Sequence, residues 1–226
     1  MTIAVAVACA GLGAALGPFL ATLVARVPRK EPVFGGDATE PSDTARTAMS
    51  VGAAVLCGGV GLRFGATWAL PAYVVLGASL LVVSVIDLEH YVIPNRIVYP
   101  TLALSLPLLL LAAAVGGKWD DLLHALVGGA AAWAVLLLVH LISPRGMGFG
   151  DVRLAFVLGV HLGWLGYGHV VLGLFLGFVL GSVAGIALVV VRRRTRQEAI
   201  PFGPFLAAGG MLAVLFGEPM IRWYNG

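Results

Sequence analysis

Charge is what this sequence has least of. Only 11% of its 226 residues are Asp, Glu, Lys or Arg, against 60% hydrophobic, and the mean hydropathy is +0.99. A soluble globular domain is excluded, because its surface must be polar. Cysteine is almost absent too. Cys9 and Cys57 lie in apolar runs without a CxxC partner, which argues against a zinc ribbon or a disulfide framework and leaves buried thiols acting as small hydrophobes. His90, His124, His140, His161 and His169 are scattered without metal-ligand spacing. Ser84, Ser143 and Ser182 have no coherent base beside them, so a serine hydrolase is rejected. No long internal repeat suggests the inverted halves of a secondary transporter. The net charge of +3 is confined to particular loops, where it reports membrane topology rather than nucleic-acid binding.

What remains is a series of hydrophobic runs, at residues 1–25, 47–63, 68–87, 97–116, 121–142, 152–166, 168–191 and 200–217. Each is read as a membrane helix, since about 20 residues cross the hydrocarbon core. The expected fold is all-α, a polytopic membrane bundle of about eight transmembrane helices forming one domain over residues 1–226. The first run has no basic stretch before it and is read as a retained helix rather than a signal peptide. With that helix entering from outside, Arg26, Arg29, Lys30, Arg46, Arg96, Arg145, Arg153, Arg192, Arg193, Arg194 and Arg196 fall in the cytoplasm. Arg63, Lys118 and Arg222 fall outside, which predicts both termini outside.

Three local features carry expectations. The loop 26–46, rich in Pro, Gly and acidic residues, is expected to be a flexible cytoplasmic linker. Gly173, Gly177, Gly181 and Gly185 recur every four residues and place close helix packing on one face of the seventh run. The sixth run is short, with a turn expected at residues 163–168 and a tilted or unwound segment there.

Acidic residues are few enough to place individually. Glu31, Asp37, Glu40 and Asp43 belong to the polar loop, Asp120, Asp121 and Glu218 to outer connections, and Glu198 follows the arginine cluster. Asp87, Glu89 and Asp151 are left at the cytoplasmic rim of apolar helices. A carboxylate at that depth is costly unless protonated, hydrated or paired. Either it marks where a helix emerges into water, or it serves chemistry. Two such groups on one side of the membrane favour chemistry, because close approach drives their proton affinities apart. One stays ionised and deprotonates a water, while its protonated partner polarises a carbonyl and later protonates the departing amine. Gly148 and Gly150, just before Asp151, lack the side chains that would obstruct an extended peptide.

Asp87-Leu88-Glu89-His90-Tyr91-Val92-Ile93-Pro94-Asn95 and Gly148-Phe149-Gly150-Asp151-Val152-Arg153 resemble the two signature segments of the prepilin leader peptidase family, the type IV GxGD membrane aspartic proteases. Gly17-Pro18-Phe19-Leu20 with Arg26-Val27-Pro28, and Pro201-Phe202-Gly203-Pro204-Phe205-Leu206-Ala207, look like that family's first helix exit and last helix. The resemblance implies that Asp87 and Asp151 are catalytic and that the substrate is a type IV prepilin or pseudopilin precursor, cut at the cytoplasmic face just before its apolar helix. No metal and no cofactor are implied for proteolysis. Many relatives carry a cysteine-paired insertion after the first helix and also methylate the new amino terminus with S-adenosylmethionine. Here that loop is short and cysteine-free, so S-adenosylmethionine enters only if methylation is retained. Arg153 stands where lysine is common, which preserves charge but not hydrogen-bond geometry. Glu89 is left off the catalytic set, and for the Arg192–Arg196 cluster fixing topology is a sufficient explanation beside contact with anionic lipid headgroups. Two other classes stay open from the residues alone: a proton- or cation-coupled transporter, which needs acids near mid-membrane, and a non-catalytic factor that binds pilin helices.

Overall fold

A computed structural model describes residues 1–35, 39–144, 146–192 and 201–225. Asp37, Arg145, Arg193, Arg194, Arg196 and Glu198 lie outside the described residues. Among the described residues the regular structure consists of eight α-helices in chain order: α1 Thr2–Arg26, α2 Asp43–Phe64, α3 Leu70–His90, α4 Asn95–Gly116, α5 Trp119–Ile142, α6 Phe149–Leu165, α7 Tyr167–Arg192 and α8 Gly203–Asn225. Seven are long and apolar enough to cross a membrane. The chain is a polytopic helical membrane protein.

The exception is α6, whose 17 residues span about 25 Å. Twelve of those 17 are buried, from Asp151 to Trp164. A helix covered by protein need not reach both faces of the bilayer on its own. It stays helical through Leu165, and the expected turn is confined to Gly166, whose φ of 116° favours glycine. The last helix extends past the predicted end at residue 217. Glu218 pairs with Arg222 one turn on, at 3.5 Å, so these charges continue the helix instead of closing it.

The chain forms two compact units, residues 1–90 with 94–122, and residues 91–93 with 123–226. In the first unit α1 and α2 run antiparallel along a seam of small residues. A Cβ on Gly13 would overlap the backbone of Ala53, and one on Gly61 would lie 2.8 Å from the Cα of Ala6. Lipid tails are as apolar as leucine, so helices in a bilayer gain cohesion from such close approach rather than from hydrophobicity. Ser42 caps α2 by accepting the Ala45 N–H at 3.1 Å. In the second unit α6 meets α5 through glycines: a Cβ on Gly128 would come 2.8 Å from the Gly159 carbonyl oxygen. Gly177 and Gly181 of α7 face Leu206 and Phe202 respectively, so that part of the four-residue stripe serves helix packing.

The loop after α1 corrects the expectation of a flexible linker. Arg26 is 6% exposed and gathers the loop around its guanidinium. Its Nε donates to the Thr39 carbonyl at 3.0 Å, Nη1 to the Val33 carbonyl at 3.1 Å, and Nη2 pairs with Glu40 at 2.6 Å. Glu40 also binds Arg46 at 2.7 Å. Glu31 accepts the Thr39 N–H at 2.8 Å and the Thr39 hydroxyl at 3.0 Å. That backbone N–H, more than Arg29 and Arg26 nearby, holds the Glu31 carboxyl below its usual range. Composition counted too few apolar residues for a core. The described part of this loop is ordered by a polar centre instead.

Candidate active site

The segment that follows Asp87 bends sharply. α3 ends at His90, and Tyr91 takes φ 56°, a left-handed conformation that stops the helix. Asp87 therefore sits in the last turn of α3, and is 5% exposed. Glu89 and His90 are far more exposed, with side chains 57% and 37% accessible. Pro94 starts α4 in an extended conformation, as a residue without an N–H can do at a helix start.

Asp151 is the third residue of α6 and is 6% exposed. Its Oδ2 accepts the Gly148 N–H at 3.0 Å, and its own N–H bonds the Gly148 carbonyl at 3.1 Å. The carboxylate thus closes the turn that leads into its own helix. Gly148 has φ −70° and ψ 149°, values open to any residue. Gly150 is different. A Cβ there would come 2.8 Å from the Ile93 Cβ, so glycine is required by the Tyr91–Ile93 segment, which packs on this turn within the second unit. The close approach that the sequence suggested for a peptide is taken at Gly150 by the protein's own Ile93.

Three side chains brace the same turn, and one of them, His140, was left aside by sequence reasoning. His140, near the end of α5, places Nδ1 2.8 Å from the Met147 carbonyl. A carbonyl only accepts, so Nδ1 carries the proton. The ring also meets Phe149 edge-on, with centroids 5.5 Å apart, and the Arg153 guanidinium lies over Phe149 at 4.6 Å. A histidine one helix away from an Asp turn gives no spacing signal, because the contact is tertiary.

Among the described residues no group of three or more His, Cys, Asp and Glu could hold a metal ion. A small cavity of about 270 Å³ beside the turn is lined by Ser143, Met147, Phe178, Ser182 and Phe202, with Val139 and two glycines. It has two hydroxyls and no carboxylate. It does not fit S-adenosylmethionine, whose ribose diol and cationic centres call for an anionic partner. Neither Asp87 nor Asp151 is near the middle of its helix, where an ion-coupled transporter would carry its acids.

Fold and site define a class: a multi-pass helical membrane protein with a buried aspartate in the last turn of one helix and another in the first turn of a second. The chain belongs to the type IV leader peptidase family, which matches residues 74–190 and so includes Asp87, Gly148, Gly150 and Asp151. It is 34% identical over 180 residues to the prepilin leader peptidase/N-methyltransferase of Pseudomonas aeruginosa, covering 78% of this chain and 60% of the relative. The proteins of that name from Pseudomonas putida and Bacillus subtilis are 37% and 34% identical, over 75% and 76% of this chain and 58% and 66% of theirs. The chain therefore spans about three-fifths of the length of these bacterial relatives. No solved structure matches it.

Proposed function

We propose that this protein is an aspartic endopeptidase that removes the leader from type IV prepilin or pseudopilin precursors. The observation that carries the reading is the pair of buried carboxylates, 5% and 6% exposed, in a chain whose other described acids lie in the polar loop, near helix ends or, as Glu218, on a half-buried part of α8. In this reading residues 1–226 serve one activity, with Asp87 and Asp151 sharing the acid and base roles around a water. Two carboxylates serving one water repel when both are ionised, so a pair with these roles shares one proton. The ionised carboxylate removes a proton from water as the oxygen attacks the scissile carbonyl. The protonated one hydrogen-bonds to the developing oxyanion and then delivers its proton to the leaving amine.

The substrate's basic leader stays at the cytoplasmic face while its apolar helix lies in membrane lipid beside the enzyme. This orients the junction toward the carboxylates and lowers the entropic cost of meeting them. Neither metal, cofactor nor nucleic acid takes part. Reconstituted protein should cleave a prepilin leader substrate, and Asp87→Asn and Asp151→Asn should each abolish cleavage while remaining folded in detergent. Turnover unchanged in either variant would remove that residue from the mechanism. Leader binding without cleavage by the parent chain would favour the binding factor, and proton or cation flux would favour the transporter.

A further inference from the structure

The Met147–Gly148 peptide unit is gripped from both edges. Its carbonyl accepts the His140 Nδ1–H at 2.8 Å, and its N–H donates to Asp151 Oδ2 at 3.0 Å. The amide is planar and resists twisting, so the direction of the carbonyl fixes the direction of the N–H. Rotation that broke the first bond would swing the second donor away from the carboxylate. His140 is itself set by α5, a 24-residue helix, and the glycine seam to α6 keeps those two helices in close register. We propose that His140 is a positioning residue for Asp151, acting through this single peptide unit to hold the carboxylate in its working orientation. The proposal rests on the peptidase reading above.

The ring performs two separable jobs. One is donation from Nδ1; the other is edge contact with Phe149 at 5.5 Å. His140→Phe keeps an aromatic ring and deletes the donor. His140→Asn keeps an N–H donor one bond beyond Cγ, as in histidine, and deletes the ring. Losing orientation rather than substrate affinity lowers kcat and spares KM.

The experiment measures leader cleavage under multiple and single turnover for the parent protein, Asp151→Asn, His140→Phe and His140→Asn, with unfolding in detergent followed for each. Cleavage by the parent and its loss in Asp151→Asn test the peptidase reading first; their failure sinks that reading whatever His140 does. Given both, His140→Phe should lose about tenfold to a hundredfold in kcat with KM within about twofold, and His140→Asn should stay within about threefold of the parent. Parental kcat in His140→Phe, or equal loss in both variants, overturns the positioning role. Should His140→Phe not fold, His140→Ser, too short to reach Met147, replaces it with the same expected loss and the same overturning results.

Discussion

Two glycines in one turn should respond unequally to a methyl group. At Gly150 an added Cβ would stand 2.8 Å from the Cβ of Ile93. Carbon atoms settle at about 3.5–4.0 Å, so one backbone must move by about 0.7–1.2 Å. Neither atom can swing aside, because each Cβ is fixed directly to its main chain. Alanine's better helix propensity returns at most about 1 kcal/mol, less in a first turn, while overpacking of this kind costs about 1–3 kcal/mol. Gly150→Ala should therefore lower the unfolding midpoint in detergent. Since Asp151 is the next residue, a shift of about 1 Å should also cost about a hundredfold in leader cleavage. Gly148→Ala has an allowed backbone and would place its Cβ 3.4 Å from Asp151 Oδ2, just at contact; it should stay within about 1 kcal/mol of the parent. Parental stability and turnover in Gly150→Ala, or an equal loss in Gly148→Ala, would refute the reasoning.

The polar loop offers two more tests. Arg26→Ala removes a buried donor set that binds the Thr39 and Val33 carbonyls and Glu40, and should loosen the loop by about 1–3 kcal/mol; trypsin cleavage at Arg29 or Lys30 should quicken, and an unchanged rate would count against the Arg26 centre. Glu31 has a folded-state carboxyl held below its usual range, chiefly by the Thr39 N–H. Its contribution is therefore complete above the unfolded value of about 4.3 and is lost as pH falls through the lowered one. Amide exchange at Thr39, corrected for intrinsic pH dependence, should show protection that holds from pH 8 to about pH 5 and falls only in more acidic solution. Glu31→Gln should remove that acid-side change, and a variant that kept it would assign the effect to another group.

Helices and carboxylates were legible in the sequence for the same reason. Apolar runs of membrane length show directly in composition, and a rim aspartate is conspicuous because so little else is charged. The signature segments also placed Gly148 and Gly150 beside Asp151. Three things were not legible. The third helix was expected to end at Asp87, where polar residues begin, yet α3 continues through Glu89 and His90 before Tyr91 stops it. Arg26 was read as a topology charge and as part of a helix exit, since a polar centre built from backbone carbonyls has no signature in residue type. Ile93 was invisible as part of the Asp151 turn because it reaches it from distant sequence, and His140 because a contact across an irregular connection between two helices follows no fixed residue spacing.

The two helix seams of the second unit explain how a carboxylate can be held at the end of a short helix. α5 and α6 touch backbone to backbone at Gly128 and Gly159, and α7 meets α8 where a Cβ on Gly209 would lie 2.7 Å from the Cα of Gly177. Such seams leave little freedom to slide, because backbone has no rotamers with which to absorb a shift. The first turn of α6 inherits this rigidity at Asp151, and the turn before it is fixed separately by His140 from α5 and by Ile93 against Gly150. The carboxylate is thus located by packing deep in the unit and oriented by contacts at its edge. A substitution in the Gly128–Gly159 seam should consequently impair leader cleavage through the position of Asp151, while one at His140 should impair it through orientation.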